Sequence, residues 1–155
     1  MKDVKRIASF SVDHDLIGEG IYLSRVDGDI STYDLRTRRP NMGDYMDNVT
    51  MHSVEHMFAT YIRNSEVGDD VIYFGPMGCR TGFYLLVRDT LSHENAIKLV
   101  QESMAFIRDF TGEIPGSKKE ECGNYLDHDL AGAKALGADM SAALRGWTVA
   151  DLQYK

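Results

Sequence analysis

Residues 51–64 read MHSVEHMFATYIRN, and the run HSVEH sets His52, Glu55 and His56 at i, i+3 and i+4. On a helix these three side chains project from one side. Two imidazoles one turn apart reach a single metal ion, and a carboxylate beside them can hold a proton next to whatever that ion binds. H-x-x-E-H is also the signature of one class of zinc peptidase. The plainer reading is an amphipathic helix with two incidental histidines, and the motif alone leaves both open.

The two cysteines pose the same choice. Cys79 lies in PMGCRTG, a tight turn whose glycines allow close backbone approach. It is either a small buried hydrophobe or a nucleophile presented between two strands. Adjacent Arg80 is a weak reason for thiolate character, because neighbours on an extended chain point apart. Cys122, in ECGNY, would complete a His, His, Cys set with His52 and His56. Three protein ligands leave one position open for water or substrate, as catalytic sites require. A closed site would want a fourth donor, and His128, His14 or Cys79 could supply it. His93, at the start of a polar helix, reads as solvated surface.

The elements that must position these residues alternate between strand and helix. From Ile7 to Leu35 the pattern is that of strands, with GIYLSRV and ISTYDLR flanking an Asp27-Gly28 turn. RRPNMGDYMDN is a loop. The HSVEH helix follows, with Thr50 as expected N-cap, and ends near Asn64. VIYFG and GFYLLVRD are β-branched and aromatic, and predict two strands around the Cys79 turn. SHENAIKLVQESMAFIRDF predicts a second helix capped by Ser92 and ended by Gly112 and Pro115. A third helix is expected over roughly 126–144, after the loop EIPGSKKEECGN. This order predicts an α+β fold with helices packed on a largely antiparallel sheet, the metal-ligand motif being on the first main helix.

Bulk properties narrow the partners. A chain of 155 residues with 43% apolar and 26% charged residues is expected to form a single domain, 1–155. The net charge of −7 argues against nucleic acid. No run approaches the roughly 20 apolar residues of a membrane span, and no signal-like segment opens the chain. A cytoplasmic location is expected, where a Cys79–Cys122 disulfide would be disfavoured.

HSVEH, GPMGCRTGFYL and ECGNYLDHDLAGAK, in this order and spacing, resemble the S-ribosylhomocysteine lyase family (LuxS), from about Ser9 to the third helix. The resemblance implies an α+β homodimer with active sites at the subunit interface. It implies one divalent metal per subunit, iron(II) with zinc or cobalt as substitutes. The implied reaction takes S-ribosylhomocysteine to homocysteine and 4,5-dihydroxy-2,3-pentanedione, the precursor of the quorum-sensing signal autoinducer-2. Carried over residue by residue, His52, His56 and Cys122 become the metal ligands, and Cys79 and Glu55 the acid–base pair. Ser9, His14 and Arg36 become substrate-binding residues, expected from the partner subunit. Two segments depart from the family: Tyr73-Phe74-Gly75 stands where Asp-Ile-Ser is common, and Thr37-Arg38-Arg39 where Phe-Cys is common. The rival reading is a small H-x-x-E-H zinc peptidase, which would need a downstream carboxylate ligand and gives Cys79 no role.

Overall fold

The computed structural model describes residues 3–155, and Met1 and Lys2 of the expected 1–155 domain lie outside them. Four strands form one antiparallel sheet: β1 (Gly20–Asp27), β2 (Ile30–Arg36), β3 (Val71–Pro76) and β4 (Gly82–Arg88), in the order β1-β2-β4-β3. Three helices, α1 (Asn48–Arg63), α2 (His93–Asp109) and α3 (Leu130–Ala143), pack on one another and through α1 on β3. The architecture is α+β. No helix among the described residues is long and apolar enough to cross a membrane.

Alternation along the strands decides which face meets the helices. Ile21, Tyr33, Leu35, Phe83, Leu85 and Phe74 join Val54, Met57, Phe58 and Ile62 of α1 and Ile97, Val100, Met104 and Ile107 of α2 in one hydrophobic cluster. The other face carries Asp34 opposite both Tyr22 and Tyr84 in the ladder, with Arg36 opposite Gly82. β2 is buried on both faces, so its polar residues must find partners inside the protein. That requirement shapes the site.

Several boundaries differ from the sequence reading. Strand structure begins at Gly20 and not at Ile7; among the described residues the stretch before it holds only a 3-10 turn, Ala8–Phe10. There the Asp13 side chain accepts the Asp15 N–H at 3.0 Å, a local bond that competes with strand pairing. The first hairpin turns on Gly28-Asp29, with positive φ at Gly28 alone, one residue beyond the expected pair. α1 is capped by Asp47, whose carboxylate accepts from the Thr50 N–H, while Thr50 itself is buried in the first turn. Ser92 caps α2 as expected. α3 starts at Leu130, because Asp129 caps it through the Gly132 N–H and the residues before it are drawn elsewhere.

Candidate active site

Two groups of reactive side chains form in separate places. The first is built on α1. Its apolar stripe anchors in the core, which leaves His52, Glu55 and His56 half-buried on the side facing the irregular segment 110–129. His52 Nδ1 donates to the Asp127 carbonyl oxygen at 2.8 Å, and His56 Nδ1 to that of Pro115 at 2.9 Å. A carbonyl oxygen only accepts, so each Nδ1 holds the proton and each Nε2 presents a lone pair. Backbone acceptors of this kind fix ligand tautomers in metal sites. Both Nε2 atoms face Cys122 Sγ, at 3.4 and 3.9 Å.

His128 adds a fourth donor: its Nε2 is 3.9 Å from the same sulfur, and the four donor atoms lie within 4.8 Å of one another. A tetrahedral ion with metal–nitrogen and metal–sulfur bonds of about 2.0 and 2.3 Å separates such donors by about 3.5 Å. The donor set and spacing fit a soft-to-borderline divalent metal. Ser53 Oγ steadies His128, contacting its Nδ1 at 3.1 Å while accepting the Asp129 N–H at 2.8 Å. Burial, followed by the nearby His52 and His56, pushes His128 below the ordinary histidine pKa and favours its neutral form. Of the three candidates for a fourth donor, only His128 joins the group. Glu55 makes no side-chain hydrogen bond among the described residues and leaves its carboxylate available beside the cluster.

One glycine is required here. Gly116 has φ +70°, and a Cβ on it would stand 3.1 Å from His56 Nδ1. The turn that brings the Pro115 carbonyl onto His56 therefore needs a residue without a side chain.

The second group surrounds Cys79. The thiol is exposed in the β3–β4 turn, which overturns the buried-hydrophobe alternative. It opens into a cavity of about 550 Å³ whose lining includes Ser9, His14, Arg36, Tyr45 and Thr81. Arg80 adopts φ +61°, and its guanidinium lies 5.7 Å over the Tyr45 ring. Arg36, at the end of the central strand, pairs with Asp34 at 2.7 Å, and both are 2% exposed. Tyr154 donates to the same Asp34 carboxylate at 2.7 Å and stacks on Tyr22. Burial works against the Arg36 charge, but the hydrogen bond and charge of Asp34, with Cys79 as a further neighbour, hold its pKa above the usual arginine value. Arg36 Nη1 then reaches Thr81 Oγ1 at 2.8 Å, and that oxygen lies 3.0 Å from Cys79 Sγ.

This arrangement corrects one expectation. Ser9, His14 and Arg36 were set apart from Cys79 by a subunit boundary, yet one chain brings all four to a single cavity. None of His52, Glu55, His56, Cys122 or His128 lines it. His93 is also not plain surface: it is half-buried, with Nδ1 2.6 Å from the Tyr33 hydroxyl. Thr81 has no sequence signal beyond its place in the turn, and its role emerges only from what folds against it.

The departures from the family pattern have local explanations. The Tyr73 ring covers Gly75 where a Cβ would stand, so tyrosine and glycine fit as a pair. Thr37 and Arg38 both donate their N–H to the Thr81 carbonyl, tying that segment to the Cys79 turn.

Comparison with known proteins agrees with the motifs. The model of the family described as S-Ribosylhomocysteinase (LuxS) matches residues 7–150. An S-ribosylhomocysteine lyase of Phocaeicola vulgatus is 44% identical, the match covering 84% of each chain. One of Clostridium acetobutylicum is 41% identical, over 97% of this chain and 99% of its own. One of Borrelia garinii subsp. bavariensis is 42% identical with the same coverage.

Proposed function

We infer the activity from membership: the chain belongs to the S-ribosylhomocysteinase (LuxS) family, and it cleaves S-ribosylhomocysteine to homocysteine and 4,5-dihydroxy-2,3-pentanedione, the autoinducer-2 precursor. The observation that carries this reading is the convergence of the His52, His56 and Cys122 donor atoms beside Glu55. A zinc peptidase is not favoured, since the donors beyond the histidine pair are Cys122 and His128 and, among the described residues, no carboxylate joins them.

In this proposal His52, His56 and Cys122 hold one divalent ion, iron(II) with zinc or cobalt able to replace it. When bound, such an ion supplies Lewis acidity to the sugar oxygens. The protein's own residues do the proton work. The thioether is at ribose C5 and leaves only after the carbonyl has moved from C1 through C2 to C3, which acidifies the C4 proton. Each migration takes a proton from one carbon and returns one to its neighbour. Loss of the C4 proton then breaks the C5–S bond, with the electron pair leaving on homocysteine sulfur. Cys79 and Glu55, approaching from different elements, are the two proton carriers, and such groups contribute roughly 10²–10⁴-fold each. Ser9, His14 and Arg36 bind the polar substrate around Cys79.

Because the metal group and the Cys79 cavity are separate within one chain, the proposal requires a homodimer. One protomer supplies the metal ligands and Glu55, and its partner the whole Cys79 cavity. Exposed apolar residues border both halves: Phe10 (64%) and Tyr45 (39%) at the cavity, Leu126 (78%) near Cys122. A second copy would cover them. The working unit is a single 1–155 domain per protomer, cytoplasmic, acting on a small molecule and not on nucleic acid or membrane. The test is incubation of the iron(II)-loaded protein with S-ribosylhomocysteine under anaerobic conditions, with homocysteine read by a thiol reagent. Activity that survives Cys79→Ala or Glu55→Gln at the wild-type rate refutes the assignment.

A further inference from the structure

We propose that Thr81 is the positioning residue for Cys79, its hydroxyl relaying the Arg36 charge to the sulfur. The proposal rests on the reading of Cys79 as a proton carrier and names what prepares it. Arg36 Nη1 is 2.8 Å from Thr81 Oγ1. A guanidinium has donors only, so the threonine oxygen must accept there. Its single proton remains, and Cys79 Sγ, at 3.0 Å, is the other hydrogen-bond partner of that oxygen among the described residues. A thiolate can only accept, so with Cys79 ionised the direction of the chain is set: guanidinium to hydroxyl, hydroxyl to sulfur; with the thiol protonated either atom can donate. A hydrogen bond of this kind is stronger to a thiolate than to a thiol.

The surroundings make this bond stiff. Thr81 is 2% exposed, and its carbonyl accepts the Thr37 and Arg38 N–H groups at 2.9 and 3.0 Å. Arg36 is held by Asp34, which Tyr154 also anchors. Asp34 balances the guanidinium charge from the far side and leaves Nη1 aimed at Thr81. The left-handed Arg80 between Cys79 and Thr81 turns the chain so that the two side chains meet. The titratable groups that face Cys79 around its cavity are His14, Arg36, Tyr45 and Tyr84, with Asp34 behind Arg36. Among the described residues Arg36 makes no hydrogen bond to the sulfur; Thr81 is the connection.

The experiment follows iodoacetamide alkylation of the metal-loaded protein across pH, with peptide masses separating Cys79 from Cys122. Thr81→Val keeps the side-chain shape and deletes the hydroxyl. It is expected to slow Cys79 alkylation at pH 7 roughly tenfold and move its pH profile to the alkaline side, the high-pH plateau staying the same. Thr81→Ser, which restores the hydroxyl, should return the rate to within about twofold of wild type. Cys122 modification should not change. If valine packs badly, Thr81→Ala removes the hydroxyl without bulk and must show the same slowing. Wild-type alkylation in the Val and Ala variants, or equal slowing in the Ser variant, overturns the relay. Because this readout does not use turnover, it stands or falls separately from the lyase assignment, which the Cys79→Ala turnover assay tests.

Discussion

If the catalytic unit joins the metal group of one protomer to the Cys79 cavity of the other, lesions on opposite halves must complement. Cys79→Ala and Glu55→Gln are such a pair: the first lies in the cavity, the second on α1. In a heterodimer of the two variants, one site collects both lesions and the other has neither. Each heterodimer then carries one intact site of two, so purified heterodimers should show about half the wild-type rate. An unfractionated co-expression, with pairing of roughly 1:2:1, should show about a quarter. Cys79→Ala with Arg36→Lys is the control, since both residues line the same cavity. There each site keeps one lesion, and no recovery is expected. The assay needs two affinity tags, sequential purification and homocysteine release. Background activity in the first pair, with recovery in the second, would show that Cys79 works with the metal of its own chain. That outcome would refute the division drawn from the cavity lining.

Four further outcomes follow from the geometry. Cys122→Ala should abolish stoichiometric metal, measured by elemental analysis, because it removes the one sulfur donor of the group. Gly116→Ala should weaken metal binding by about 10–100-fold in chelator competition, since the added Cβ displaces the acceptor that orients His56. Tyr154→Phe removes a hydrogen bond to the buried Asp34 carboxylate. It should cost about 1.5–3 kcal/mol and lower Tm by about 3–12 °C in a thermal melt. The Thr50 side chain, and then its N–H, hold the Asp47 carboxyl below the usual aspartate range. Its stabilisation of α1 is therefore complete above the unfolded-state pKa near 4 and fades as pH falls through the lower folded value. Asp47→Asn should keep most of the cap and lose that acid dependence, while Asp47→Ala should cost about 0.5–2 kcal/mol at neutral pH.

Much of the metal group was legible because helix periodicity is local. His52, Glu55 and His56 share a face by spacing alone, and the apolar stripe beneath them dictates which way they point. The two strands around Cys79 were legible for a similar reason. What lay outside the reach of spacing was supplied by distant backbone. The acceptors of His52 and His56 are carbonyls 75 and 59 residues away, and every residue type carries a carbonyl. His128 stood as one of three possible fourth donors, and spacing could not single it out because it fell within an expected helix that starts two residues later; its ring and the Asp127 carbonyl are drawn to α1. Arg36 was identified by resemblance, but its pairing with Asp34 and Thr81 depends on β2 being buried on both faces, which alternation alone did not reveal. The misread strand before Gly20 failed because alternating residues there meet no ladder.

The irregular segment between α2 and α3 supplies the sulfur, the third imidazole and both carbonyls that orient the helix histidines. An ion held at Cys122 and His52 would act as a cross-link between residues 70 apart. By the chain-entropy estimate a closure of that length is worth on the order of 4 kcal/mol against the unfolded ensemble. The segment has no ladder or helix of its own to keep it in place once that clasp opens. Chelation should therefore do more than silence the site. It should convert residues 110–129 into the first stretch that a protease cuts, while the sheet beneath stays intact.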